Sequence, residues 1–136
     1  MDAKVIWKKR MSFDGTADSG FTVPLGTVPA VGGDDDGFRP LELIAIGLAG
    51  CTAMDVKSIL DKKRQEIESF EVQVHATRAE DHPKVFTHIV IEYIISGKDL
   101  SEDAVKRAVQ LSEEKYCSAQ AMFKKVAPME LKITIQ

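Results

Sequence analysis

The chain has 136 residues, 44% of them hydrophobic and 29% charged, and a net charge of −3. This length and balance fit one soluble globular domain covering 1–136. The acidic excess excludes nucleic acid as the main partner, because phosphate binding requires a basic footprint.

Val5, Ile6 and Trp7 supply β-favouring bulk, and residues 4–9 are predicted as a first strand. Asp14-Gly15 and Ser19-Gly20 are turn signals, and Phe21-Thr22-Val23 between turns predicts a short second strand. Residues 26–39 form a Gly- and Asp-rich loop. Its triple aspartate, Asp34-Asp35-Asp36, reads as solvated, because the spaced oxygen ligands and closing glutamate of a calcium loop are missing.

Pro40 opens a long helix predicted to run to about Gln65, since proline is tolerated where its missing N–H has no partner anyway. Residues 41–54 are apolar on nearly every side, which predicts a buried helix. A chain of this size can hardly surround such a helix alone, so a homodimer is expected. The apolar run 43–54 is glycine-interrupted and too short to span a bilayer, and the first residues show no signal peptide. No membrane partner and a cytoplasmic location are therefore expected.

Val72, Val74 and Ala76 alternate with polar neighbours in 70–79. Val85, Ile89, Ile91, Tyr93 and Ile95 do the same in 85–96, with His82-Pro83-Lys84 as the turn between the two strands. Ser101 caps a second helix running to about Glu114, with Glu102 and Asp103 at its positive end. Ser118 is the candidate cap of a short helix over 119–125, and Met129, Leu131, Ile133 and Ile135 mark a last strand. The fold class is α+β, with mostly antiparallel pairing.

Cys51 and Cys117 are the only cysteines. In a reducing compartment two cysteines point to free or catalytic thiols rather than a permanent staple. Cys51 shares a helix face with Ile44, Leu48 and Asp55. Asp55 would raise its pKa if close, so a cation would be needed to offset it. Cys117 lies near the start of a short helix, whose dipole favours thiolate. Paired thiols can reduce a hydroperoxide through a sulfenic acid and a disulfide, with an external dithiol as reductant. A cation would hold the thiolate, and a carboxylate would orient that cation. Glu42, Arg39 and Arg10 are the candidates for these roles. Glu42 precedes Cys51 by nine positions, about 180° away on one helix. They can share a site only if the helix starts after Glu42 or if Glu42 reaches a neighbouring subunit. A metal site of thiolate and histidine is weak, because His75, His82 and His88 lack ligand spacing from either cysteine.

Several segments together resemble the OsmC/Ohr family, the osmotically induced and organic hydroperoxide resistance proteins, and most closely its YhfA-like branch. They are Gly32-Gly33 through Gly37, Pro40-Leu41-Glu42-Leu43, Gly50-Cys51-Thr52-Ala53-Met54-Asp55-Val56, His82-Pro83-Lys84-Val85-Phe86 and the stretch from Leu111 to Cys117. The resemblance implies an OsmC-like fold, with antiparallel sheets wrapped around two central helices in an intertwined homodimer. It implies a thiol peroxidase acting on small organic hydroperoxides, with Cys51 peroxidatic and Cys117 resolving. A lipoyl-type dithiol is the implied reductant, and no metal or organic cofactor is implied. Two departures stand out. The family's glutamate directly follows the proline, where this chain has Leu41, with Glu42 one position later. Arg10 is the nearest match to the family's hairpin arginine, but its neighbours Lys9 and Met11 differ from the family's glycine-rich setting. The alternative function is a catalytically weak dimer that binds a hydrophobic small molecule in an apolar cleft or acts as a redox sensor.

Overall fold

The structure is a computed structural model that describes residues 1–136, in two compact units, Met1–Ile44 and Ala45–Gln136. In the first unit, strands β1 (Ala3–Lys9), β2 (Ser12–Ala17) and β3 (Thr22–Leu25) form an antiparallel sheet in the order β1-β2-β3. The expected turn at Asp14-Gly15 is instead the middle of β2. Gly15 is there for space: a Cβ would stand 2.9 Å from Leu25 Cδ1. The chain reverses at Arg10-Met11, where Arg10 is left-handed at φ 44°. That conformation is costly for a residue with a side chain. Two contacts hold it: Trp7 Nε1 donates to the Arg10 carbonyl at 2.9 Å, and Arg10 Nη2 donates to the Gly32 carbonyl at 3.2 Å.

The three aspartates of the loop are exposed, as expected, and are also tied down. Asp34 pairs with Arg10 at 3.2 Å, Asp35 with Arg39 at 2.9 Å, and Asp36 accepts from Ser12 Oγ at 2.6 Å. The Ser12 hydroxyl holds the Asp36 carboxyl below its ordinary pKa. Two glycines permit the tight path. A Cβ on Gly33 would collide with the Thr27 carbonyl, and one on Gly37 would come within 2.6 Å of Leu25 backbone.

Helix α1 spans Pro40–Lys62. Arg39 is its cap position, and its N–H donates to Glu42 Oε2 at 3.0 Å, one half of a capping box. One chain by itself buries only one side of the helix, as its size led us to expect. Leu48, Thr52, Val56 and Leu60, four residues apart, form one buried stripe, while Ile46 is 52% and Met54 76% exposed. It also outlasts its apolar run: by length and composition α1 is long and apolar enough to cross a membrane, with 22% of the best window buried. The core helix of a soluble protein meets the same measure. The helix ends three residues earlier than expected, and Arg64 reverses the chain at φ 55°.

In the second unit, β4 (Glu66–Arg78), β5 (Phe86–Lys98) and β6 (Met129–Ile135) make a sheet in the order β4-β5-β6. β4 and β5 are antiparallel, but β5 and β6 are parallel. A parallel neighbour needs a crossover, and the helices between β5 and β6 provide it. Ile89, Ile91, Tyr93 and Ile95 of β5 are fully buried, as their alternation predicts. Val85 is exposed instead, and Phe86 takes the buried side beyond a register shift opposite Thr77 and Arg78.

Helix α2 covers Glu102–Leu111, and Ser101 Oγ caps it by accepting from the Ala104 N–H at 3.2 Å. It passes directly into a π-helical turn, Ser112–Tyr116. The turn closes with the Cys117 N–H donating to the Ser112 carbonyl, five residues back, at 2.8 Å. Helix α3, Ser118–Phe123, follows at once.

Candidate functional site

Three ligand-type atoms meet in the second unit. The sulfurs of Cys51 and Cys117 and a carboxylate oxygen of Asp55 all lie within 4.8 Å of one another. Cys51 and Asp55 are one turn apart on α1, so one helix face presents both. The π-helical turn delivers the third member. Cys117 is also the cap of α3, its Sγ accepting from the Gln120 N–H at 3.4 Å. The expected cap, Ser118, is the first residue of the helix instead.

The cap was expected to favour a thiolate at Cys117, yet burial dominates. Removal from water pushes this thiol from 9.0 up to about 11; the Gln120 N–H opposes that rise and the nearby Cys51 adds to it. Cys117 is 2% exposed, whereas Cys51 is only partly buried. The pair is therefore asymmetric: Cys51 is partly exposed and Cys117 is not.

A chain of buried polar groups leads to Asp55. Thr52, Tyr93, Ser112 and Gln120 are each fully buried. Tyr93 Oη lies 2.7 Å from Thr52 Oγ1, Thr52 Oγ1 2.8 Å from Ser112 Oγ, and Ser112 Oγ donates to Asp55 Oδ2 at 3.2 Å. The carboxylate can only accept, and this orders the proton donors: Tyr93 donates to Thr52, Thr52 to Ser112, and Ser112 to Asp55. Gln120 Nε2 fills the remaining lone pair of Thr52 at 2.9 Å. Burial pushes the Tyr93 hydroxyl up to about 12, so it stays a donor across the working pH range. Gln120 Oε1 has no partner, which costs about 1–3 kcal/mol. Thr52, Ser112 and Gln120 are site residues that sequence reasoning missed. Their only signal is a polar residue on an otherwise apolar helix face.

A cleft of about 320 Å³ adjoins the group through Asp55, which lines it with Leu111, Tyr116, Lys62 and Lys63 among others; neither cysteine is in its wall. The other sequence candidates lie in the first unit. Arg39 Nη1 stands 3.6 Å from Glu42 Oε1, and Arg10 pairs with Asp34. None of the three histidines belongs to the thiol group.

Comparison with known proteins places this geometry. Residues 33–132 match the family model described as OsmC-like protein. Protein YhfA of Escherichia coli K12 is 39% identical over 125 residues, covering 92% of this chain and 90% of YhfA. A hypothetical protein from Aquifex aeolicus has a TM-score of 0.87 at 30% identity, covering 99% of this chain and 95% of that one. The organic hydroperoxide resistance protein OhrB of Bacillus subtilis shares the fold, with a TM-score of 0.64 at 21% identity and 98% coverage of each chain. With its α+β architecture and its paired thiols, the chain belongs to the OsmC/Ohr family of OsmC-like proteins.

Proposed function

We propose that the protein is a two-cysteine reductase of small organic hydroperoxides, acting in oxidative-stress defence. The observation that carries this is the approach of Cys51 and Cys117 Sγ to within 4.8 Å, with Cys51 the more exposed. The Cys51 thiolate attacks the peroxide O–O bond, taking one oxygen as a sulfenic acid while the other leaves as an alcohol after protonation. Cys117 then attacks the Cys51 sulfur, a disulfide forms, and the sulfenic hydroxyl departs as water. Asp55 lies beside both sulfurs and passes the Cys117 proton to the departing hydroxyl. A dithiol, lipoyl-type by family resemblance, restores both thiols by exchange. The adjoining cleft is of a size to take the organic group of the peroxide.

Arg39, Glu42 and Arg10 are proposed as the charged set that holds the Cys51 thiolate. Their support is that Arg39 is already ion-paired with Glu42. α1 begins at Pro40, before Glu42. The proposal therefore has Glu42 serve the thiols of a partner subunit in a homodimer. The uncovered apolar face of α1 supports this, because covering a large apolar side chain contributes about 1.5–3 kcal/mol. On this proposal residues 1–136 act as one OsmC-like domain, and the free thiols fit the cytoplasm.

Titration with an organic hydroperoxide, followed by peptide mass mapping, tests the reading. Wild type should accumulate a Cys51–Cys117 disulfide. Cys51→Ser should lose turnover, and Cys117→Ser should stall at the sulfenic acid. Two thiols that stay free under excess peroxide would reject the peroxidase and favour a ligand-binding dimer.

A further inference from the structure

From the donor set at the thiols, we infer that the reduced protein holds a zinc-type divalent cation on Cys51, Cys117 and Asp55. Sequence spacing argues only against a site built with histidine. The folded chain supplies a carboxylate in its place. Two sulfurs and one carboxylate oxygen suit a borderline-soft ion, and three protein ligands leave a fourth position open. Metal–ligand bonds of roughly 2.0–2.3 Å put tetrahedral donors roughly 3.5 Å apart. The three donors already lie within 4.8 Å of one another, so small side-chain rotations complete the set.

The surroundings of the donors strengthen the inference. Ser112 Oγ donates to Asp55 Oδ2 and leaves Oδ1 free to face the ion. The Gln120 N–H donates to Cys117 Sγ, the kind of contact that steadies a metal thiolate. Asp55 also lines the cleft, so solvent space adjoins one of the three donors. The Thr52–Ser112 hydroxyl chain fixes the carboxylate from behind. Binding exchanges two thiol protons for the metal and releases them to solvent. A disulfide removes both sulfur ligands at once, so metal and oxidation exclude each other. The metal-loaded pair is shielded from peroxide, and the oxidised pair releases the metal.

The test is a zinc titration of the reduced, chelator-stripped 136-residue protein against a competing chromophoric chelator. Cobalt serves as a second probe, whose thiolate charge-transfer band reports sulfur ligation. Expected are one zinc per chain, the charge-transfer band, and no binding after peroxide or diamide oxidation. Cys51→Ser and Cys117→Ser should abolish the band. Asp55→Asn should weaken zinc about tenfold or more, and Ser112→Ala, which keeps every ligand, should weaken it less. Circular dichroism confirms that each variant is folded. Absence of zinc binding by the reduced wild type overturns the inference, as does binding that survives oxidation or loss of both cysteines. Binding unchanged in Asp55→Asn removes the carboxylate and overturns the three-ligand site. Peroxide consumption is measured separately on metal-free protein, so a failed peroxidase and a failed metal site give different results.

Discussion

Ser112 Oγ donates to Asp55 Oδ2 at 3.2 Å, and through this bond a buried chain of hydroxyls ends on the carboxylate beside the two thiols. The bond joins the π-helical turn to α1. Whatever sets the position of Ser112 therefore sets the position of Asp55.

Thr52 is the branch point of that chain, with bonds to Tyr93, Ser112 and Gln120. Thr52→Val keeps the shape and removes every one of them. Buried groups left unpaired cost about 1–3 kcal/mol each. A loss of about 2–4 kcal/mol is expected, read as a lower urea midpoint with an unchanged m-value.

Asp55→Asn should leave the first chemical step intact and slow the second. Rapid-quench mass spectrometry with a sulfenic-acid trap should show the Cys51 sulfenic acid forming at the wild-type rate. Its conversion to disulfide should be about tenfold slower or more. Equal rates for disulfide formation in both proteins would remove Asp55 from proton transfer.

Stability should fall in alkali. Cys117 and Tyr93 both have folded pKa values above their ordinary ones, so the native state holds their protons longer than the unfolded chain does. The Cys117 contribution is complete below about pH 9 and lost as pH rises to about 11; that of Tyr93 is lost between about 10 and 12. For Cys117 the effect is on the order of 2 kcal/mol. Urea midpoints measured from pH 7 to 11 on metal-free protein should decline from about pH 9 in wild type. Cys117→Ser should flatten that decline.

Met54 is the most exposed large apolar side chain of α1, at 76%, and lines an open, mostly apolar groove with Ala53 and Phe70. If a second copy covers this face, Met54→Glu places a charge in the interface. Sedimentation velocity should then show dimers for wild type and monomers for the variant. A wild type that sediments as a monomer at every concentration would end the dimer proposal.

Ser101→Ala removes the cap of α2, and a cost of about 1 kcal/mol is expected in thermal or urea unfolding. Peroxide chemistry at Cys51 should be unaffected.

Local rules made much of the fold legible. Ser101 followed by Glu102 and Asp103 gave the start of α2, and alternation through Ile89, Ile91, Tyr93 and Ile95 gave the buried face of β5. Misplaced elements trace to rules overridden by neighbours. Asp14-Gly15 looks like a turn, but Gly15 is a glycine because Leu25 crosses close by on β3. Val85 fits the alternation, but a register shift turns Phe86 inward instead. The parallel pairing of β6 depends on a long-range crossover that no local window contains. At the site, the two cysteines were visible as a pair, and Asp55 was visible only as an obstacle to thiolate formation. The Tyr93–Thr52–Ser112 chain was out of sight, because its members come from three elements that meet only after folding.

Cys117 Sγ is at once the proposed resolving thiol and the peg on which a helix hangs, because the Gln120 amide leans on it. Any change at that atom is felt by the backbone of 118–123. A sulfur carrying negative charge grips the amide harder, and a sulfur spent in a bond to Cys51 grips it less. On the proposed chemistry, oxidation of that one buried atom should therefore loosen the hold on the first turn of the following helix.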